Sequence, residues 1–275
     1  MKKMAPITFI YMMIIVISIV ALTFGILVNI PKFTNKKSRY NENNSETMAE
    51  LVNNFNTIFN NELRGDTEQL KNVNKKDNGK NIVYTGYEKK EKKDKLYDIN
   101  ISIPRVNIDC EVADKFNKKM EKMFLEKINN IITIQRENAM FTVEYTGYIN
   151  EDILSVVVRA SLKENSTTPQ RVIIQTFNLN LSNNKEVKLK EILNSKKLNE
   201  NLVENNVKKV ITDTNEQAQE LSKLGYEIYT RDVNSDIYKI DNTTEYFLGE
   251  NNKLYLIYAY GNKNFTSEID ILTFQ

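Results

Sequence analysis

The strongest constraint on this chain is a stretch near its start, residues 5–30, which has no charged side chain and is mostly Ile, Val, Leu, Phe and Met. A helix over residues 7–30 is about 36 Å long, enough to cross a hydrocarbon core of about 30 Å with some tilt. A helix in a soluble core normally shows one polar face, and this stretch has none. The sequence therefore predicts one transmembrane helix at residues 7–30.

A cleaved signal peptide is the alternative interpretation of this segment. Its apolar region would usually span about 7–15 residues and end at a small-x-small site, whereas this run is longer and residues 23–25 fit such a site poorly. Lys2 and Lys3 favour a cytoplasmic N-terminus, although basic residues also follow the helix. The tail is short, and a long downstream segment is translocated largely regardless of charge. We therefore expect a single-pass protein of the cell membrane, with a cytoplasmic tail at residues 1–6 and residues 31–275 outside the cell.

Charge and residue counts exclude several classes of function. The chain has 38 basic and 36 acidic residues, and Lys2 and Lys3 are its only charges before residue 31. The outer segment is therefore balanced and gives no electrostatic case for nucleic-acid binding. There is no histidine, and Cys110 is the only cysteine. These counts exclude an intramolecular disulfide, Ser–His and Cys–His dyads, and His- or thiolate-based zinc sites.

Carboxylate catalysis needs no histidine, and a pair of acidic residues near strand ends would suffice for it. The acids in such positions are Glu144, Glu151, Asp152, Glu268 and Asp270. Their spacing singles out no pair, and solvated acids are the ordinary interpretation. The stretch at residues 232–236 alternates oxygen side chains but lacks the Gly and distal Glu of an EF-hand loop. We therefore expect a protein that is not an enzyme and has no cofactor and no bound metal.

Hydrophobic periodicity predicts an α+β fold, in which helices pack on an antiparallel sheet. The predicted helices are 47–64, 112–135 and 198–229, the last as two pieces meeting near Thr212. The predicted strands are 82–84, 96–108 with an interruption at Pro104, 139–149, 153–163, 170–181, 245–249, 253–260 and 268–274. We divide the chain into a tether at residues 31–80, which includes an amphipathic helix and a flexible linker, and an outer domain at residues 81–275.

Two features of the tether invite interpretation. Thr47 and Glu50 have capping-box spacing, and the apolar stripe that follows is expected to pack in a core or to mediate self-association. Between Lys71 and Lys95 the chain is rich in lysine, which would suit contact with an anionic wall polymer or lipid headgroups. A solvated basic loop explains the same lysines.

Several stretches, in order, resemble a group of bacterial ectodomains. They are Leu96–Pro104, the helix around Phe116–Lys119, Tyr145–Val158, Phe177–Leu181, Val187–Leu193, Tyr246–Leu248 and Leu254–Gly261. Over roughly residues 82–275 the chain resembles the extracytoplasmic domain shared by RsiV-type anti-sigma factors, which are lysozyme receptors, and PdaC-type peptidoglycan deacetylases. We expect this chain to have neither the sizeable cytoplasmic segment of the first nor the separate catalytic domain of the second. The resemblance thus implies an extracytoplasmic recognition module.

These features lead us to expect a membrane-anchored, non-catalytic binding or sensing module at the cell envelope. Its expected partners are the lipid bilayer and peptidoglycan, a wall polymer or a lysozyme-like protein. Tyrosines are concentrated near the C-terminus, and Tyr255, Tyr258 and Tyr260 are the candidate binding residues, because Tyr offers a flat apolar face and a hydroxyl group. Half-buried sheet tyrosines explain the same pattern. The alternatives are a structural partner in a membrane complex and a carboxylate-dependent glycan-acting enzyme.

Overall fold

Two β-sheets and four α-helices form the described part of the computed structural model, which comprises residues 47–65, 73–260 and 268–275. The helices are α1 (Met48–Asn56), α2 (Glu111–Ile134), α3 (Leu189–Ser195) and α4 (Glu200–Lys223). The strands are β1 (Leu63–Gly65), β2 (Val83–Lys93), β3 (Tyr97–Val106), β4 (Ala139–Asn150), β5 (Ile153–Lys163), β6 (Arg171–Asn180), β7 (Lys185–Glu186), β8 (Glu245–Leu248), β9 (Leu254–Ala259) and β10 (Ile269–Phe274).

The first sheet has the order β2-β3-β4-β5-β6-β7, and β1 pairs separately with β4. Long antiparallel pairings join β4 to β5 and β5 to β6. The other edge of β4 is shared by two parallel strands. β3 pairs with it as far as Ile101 opposite Val143, and β1 pairs with it from Leu63 opposite Gly147. The sheet therefore forks where β3 leaves β4.

Each face of the first sheet is covered by a different layer. Helix α2 packs its buried stripe, which includes Met120 and Phe124, on one face, and this contact forms the main core. The second sheet, of order β10-β9-β8, and helix α1 cover part of the opposite face. Leu51 and Phe55 of α1 are buried there. Helices α3 and α4 pack on the other side of the second sheet and form a further core with Tyr238 and Tyr258.

The two sheets meet through side chains that bond to the free edge of β8. The N–H group of Tyr246 donates to Thr176 Oγ1 at 3.1 Å, and its carbonyl accepts from Asn178 Nδ2 at 2.8 Å. The N–H group of Leu248 donates to Ser155 Oγ at 3.1 Å. We call this set of bonds the β8 seam. It gives partners to backbone groups that no neighbouring strand pairs with.

Two further side chains extend the β8 seam at its ends. Asn150 Nδ2 donates to the carbonyls of Leu248 at 3.2 Å and Gly249 at 3.0 Å. At the other end, the Glu245 carboxylate accepts from the Thr176 N–H at 2.7 Å and the Thr176 hydroxyl at 3.1 Å. Burial raises the pKa of Glu245, an effect that the bonds from Thr176 oppose.

The structure confirms the mixed α+β fold, with antiparallel pairing in both sheets and helices packed on them. The Thr47 capping box is present, since the side chains and backbones of Thr47 and Glu50 bond reciprocally. Pro104 lies opposite a register shift between Thr85 and Tyr87, as expected for a residue without an N–H group.

Two helix predictions differ from the structure, one in where the helix ends and the other in whether it is continuous. Helix α1 ends at Asn56 instead of residue 64, because Leu63–Gly65 pairs with the free edge of β4. Helix α4 is continuous through Thr212, whose hydroxyl donates to the carbonyl of Lys208 at 2.9 Å. That bond gives the Thr212 hydroxyl a partner inside the helix.

The C-terminal part of the basic segment is strand β2, whereas the sequence favours a solvated loop there. Its lysines form ion pairs with neighbouring acids, for example Lys89 with Glu91 at 2.8 Å and Lys92 with Asp98 at 3.3 Å. A charged edge strand is a common device against pairing with other chains.

The predicted transmembrane helix at residues 7–30 lies outside the described residues. Among those that are described, no helix is sufficiently long and apolar to span a bilayer. The boundary between the tether and the outer domain, at residues 80 and 81, stays a prediction.

The carboxyl group of Glu245 is expected to make stability depend on pH. Because its pKa is raised in the folded state, the folded chain holds the proton more tightly than the unfolded chain. Stability should therefore fall as pH rises from the ordinary Glu pKa of about 4.3 to the folded value. Glu245→Gln removes this decrease and keeps an oxygen to accept from the Thr176 N–H group.

Chemical unfolding of the full-length chain across this pH range measures the effect. The exposed Glu137→Gln substitution is the matched control, and it should retain the wild-type pH dependence. An identical pH dependence in Glu245→Gln and wild type would show that Glu245 does not carry the effect.

Candidate binding cleft

An open cleft of about 680 Å³ lies where the first sheet forks. We call it the fork cleft. Three separate stretches of chain and one residue of β4 line it: Asn61–Leu63, Lys75, Asn81–Thr85 and Tyr145. Its volume is within the range of small-molecule sites, about 300–1,000 Å³.

One wall of the fork cleft is the segment that joins α1 to β1. Asn61 has a left-handed backbone, with φ of 59°, a conformation that Asn tolerates better than most residues. Its N–H group donates to the carbonyl of Tyr145 at 2.8 Å, and its side-chain oxygen accepts from the N–H of Tyr145 at 3.0 Å. The carbonyl of Glu62 then accepts from Gly147 at 2.9 Å. These bonds fix the wall to the edge of β4.

Two glycines let this wall approach closely. A Cβ atom on Gly147 would lie 2.9 Å from Leu63 Cδ1, so the Leu63 side chain packs where a larger residue would project. Gly65 has φ of 117°, and a Cβ atom there would lie 2.5 Å from the carbonyl oxygen of Ile149. Gly65 is therefore required for β1 to lie beside β4, whereas at Gly147 the end of the Leu63 side chain would have to move.

The opposite wall consists of the start of β2 and the loop before it. Asn107, which is buried, accepts from the Asp77 N–H at 2.9 Å and donates to the Asp77 carbonyl at 2.7 Å. Lys75 is half-buried, and its ammonium donates to the carbonyl of Lys80 at 3.3 Å. The ammonium of Lys80 lies 4.8 Å from the centre of the Tyr84 ring.

Tyr145 connects the two walls. Its hydroxyl oxygen lies 3.0 Å from the Thr85 hydroxyl oxygen, and its side chain is 1% exposed. Burial raises the pKa of Tyr145, while the bond to Thr85 lowers it. The phenol is therefore protonated at neutral pH, and the pair of hydroxyls supplies both a donor and an acceptor.

The charges of the fork cleft are divided between its walls. Glu62 is exposed, and its carboxylate accepts from Asn60 Nδ2 at 2.8 Å. Among the described residues, neither Glu62 nor Lys75 forms an ion pair. The cleft thus presents a carboxylate on one wall and an ammonium on the other.

The three candidate tyrosines lie elsewhere, in and after β9. Tyr258 and Tyr260 are 4% and 6% exposed, so their rings are withdrawn from a ligand at the surface. Burial raises the pKa of Tyr258 to about 12. Tyr255 is half-buried and stacks on Phe247 with ring centres 4.6 Å apart. Its part in binding stays a prediction.

The candidate acids form two groups, one on β4 and the turn after it, and the other at Arg231, to which both Glu268 and Asp270 are close. Glu144 pairs with Arg159 at 2.7 Å, and Glu151 and Asp152 form the turn between β4 and β5. Asp270 is fully buried and accepts from Arg231 Nη2 at 2.7 Å. In the described ranges, no group of three or more His, Cys, Asp or Glu side chains could hold a metal.

Asp270 belongs to a buried polar network that the sequence did not reveal. Its Oδ2 atom accepts from Arg231 Nε and, at 2.8 Å, from the Tyr260 hydroxyl. The Tyr260 hydroxyl lies 2.8 Å from that of Tyr238. Burial raises the pKa of Tyr238 to about 12 and raises that of Tyr260 as well. Each member has partners within the chain, so the polar groups of the network are satisfied inside the second core.

Sequence reasoning missed the residues of the fork cleft. Glu62 and Lys75 fell in the predicted tether, and Tyr145 was identified only as part of a strand. One signal was present, because a glycine inside a strand, here Gly147, often marks the close approach of another backbone. The sequence did not show which segment would approach.

No protein-family model matches the chain, and no curated protein matches it. It is similar to the crystal structure of a DUF3298 family protein from Pseudomonas aeruginosa PAO1, with 11% identity, a TM-score of 0.39, and coverage of 66% of this chain and 82% of that one. It is also similar to a DUF3298 family member from Bacteroides fragilis, with 10% identity, a TM-score of 0.29, and coverage of 64% and 79%.

Replacement of Gly65 is expected to loosen the wall formed by β1. Gly65→Ala adds both an unfavourable φ and a clash with the Ile149 carbonyl. Gly225→Ala is the matched control, since Gly225 has φ of 87° with no atom near the added Cβ. Gly65→Ala should lower the unfolding free energy by about 1–3 kcal/mol more than the control does. Equal losses in chemical unfolding would contradict the close approach of β1 to β4.

Proposed function

We propose that this protein is a membrane-anchored, non-catalytic binding or sensing module that faces the cell envelope and takes its ligand in the fork cleft. The uncharged segment at residues 7–30 supports the anchor. The resemblance to RsiV-type and PdaC-type ectodomains supports an extracytoplasmic role. The proposed ligands are peptidoglycan, a wall polymer or a wall-acting protein such as lysozyme, and nucleic acid is not among them.

The observation that carries the proposal is the fork cleft itself. It combines opposite charges, the Thr85 hydroxyl and the half-buried Leu63 side chain within one concavity. Sites for small ligands characteristically combine an apolar lining with a few converging polar groups. A large partner would insert one of its chemical groups into this concavity.

The two alternative functions have less support from the described residues. Self-association through the apolar stripe of α1 would compete with the chain's own core, because Leu51 and Phe55 are buried there. A two-carboxylate mechanism would need two acids facing one cleft. Glu62 is the acid that lines the fork cleft, and Asp270 is buried in the second core.

A binding assay with the full-length chain in lipid nanodiscs tests the proposal. The ligands are peptidoglycan, purified anionic wall polymer and lysozyme, each offered separately. We expect retention on at least one of them, and we expect Lys75→Glu to weaken it about tenfold or more, since the reversed charge would repel the group that Lys75 attracts. Exposed Lys122→Glu on α2 is the matched control and should bind like wild type.

Retention that is equal in the Lys75→Glu and wild-type proteins would remove the fork cleft from the proposal. No retention on any of the three ligands would count against the binding module as a whole. The orientation of the chain in the membrane is tested separately. Protease added to intact cells stripped of wall should cleave the C-terminal part. Full protection of that part would contradict the outward orientation.

A further inference from the structure

The distribution of charge in the fork cleft indicates which class of ligand would fit it. Glu62 belongs to the wall that is bonded to β4, and Lys75 belongs to the wall at the start of β2. No ion pair joins them, nor joins either one to another described residue. A ligand that bears both signs of charge would therefore find a partner on each wall.

Lys75 is the stronger anchor of the two. Its side chain is half-buried, and its one bond within the described residues is to the carbonyl of Lys80 at 3.3 Å. A partly desolvated ammonium without a counter-ion gains from an incoming carboxylate, because a charge-assisted bond is roughly twice as strong as a neutral one. Glu62 offers the matching site for an ammonium at the exposed opposite rim.

Two further residues of the lining suit a short ligand. Thr85 and Leu63 are half-buried, so a hydroxyl and an aliphatic side chain are partly accessible in the same cleft as the two charges. The Thr85 hydroxyl is bonded to that of the buried Tyr145 and keeps a lone pair to accept from a peptide N–H group.

We propose that the fork cleft binds a small zwitterion of the amino-acid or short-peptide class, with its carboxylate at Lys75 and its ammonium at Glu62. This inference rests on the proposed binding function and specifies the chemistry of the same site. The free carboxylate and the free ammonium are the shared recognition features of amino acids and peptides. A longer ligand would also reach the hydroxyl of Thr85.

Four probes test the inference on the full-length chain in nanodiscs, by isothermal titration. They are alanine, trialanine, N-acetyl-trialanine and trialanine amide. We expect saturable binding of trialanine, and losses of about tenfold or more when either end is capped, because each cap removes one charge. Tighter binding of trialanine than of alanine would assign the site to peptides, and the reverse would assign it to free amino acids.

Two variants identify which residue recognises each end. In Glu62→Gln the acetylated and free peptides should bind equally, and in Lys75→Met the amide and the free acid should bind equally. Lys122→Met and Glu137→Gln are the matched controls and should keep both preferences.

The inference is overturned if none of the four probes binds at millimolar concentration, or if the capped and free peptides bind wild type equally. These two outcomes need no variant, so misfolding of a variant does not obscure them. The failure of this inference is also distinguishable from failure of the proposed function. Retention on a wall polymer or lysozyme that Lys75→Glu weakens would preserve the binding module while the zwitterion is rejected.

Discussion

The hydrogen bonds of the β8 seam are the interaction on which the rest of this structure depends. A free strand edge that is buried against another sheet would leave N–H and C=O groups without partners, each costing about 1–3 kcal/mol. Here Ser155, Thr176 and Asn178 supply partners from the face of the first sheet. Ser155 and Asn178 are also bonded to each other at 2.6 Å, which fixes the orientation of both side chains. The polar groups therefore hold the two sheets in one register.

The fork cleft depends on this seam through helix α1. The second sheet provides the surface on which α1 packs, where Leu51 and Phe55 lie in one core with Phe247 and Ile271. Helix α1 leads directly into the segment that forms the first wall of the cleft. Arg159 adds a second attachment, since it bonds to Asn56 Oδ1 at 2.6 Å and lies 4.4 Å from the centre of the Phe59 ring. The position of Glu62 thus follows from contacts made far from it in sequence.

Much of the fold could be predicted from the sequence, because local patterns determine it. Alternation of apolar residues identified the strands around Val156 and Phe177, and the periodic stripe with Met120 and Phe124 identified α2. Strand β2 was underestimated because lysines dominate it, and its strand character comes from pairing with β3. Local pattern does not contain such pairing information.

The candidate site could not be predicted in the same way. The bonds of the seam join residues as distant as Ser155 and Leu248, and the fork cleft joins Asn61 to Tyr145. Polar residues within a strand, such as Ser155, have the sequence appearance of a solvated face. The C-terminal tyrosines allow two interpretations from the sequence, a binding surface or sheet positions that are at least half-buried, and Tyr260 is buried with its hydroxyl bonded to Asp270. In each case, contacts with residues distant in sequence determine whether the side chain is buried.

Hydrogen exchange at the N–H groups of Tyr246 and Leu248 tests the central claim most directly, since these two groups donate to side chains of the other sheet. If the seam unites the sheets, both amides should exchange only through global unfolding, with the same free energy as amides in the β4–β5 pairing. Exchange of Tyr246 and Leu248 at a clearly lower free energy than β4 and β5 would show that the second sheet opens independently. That result would contradict the account.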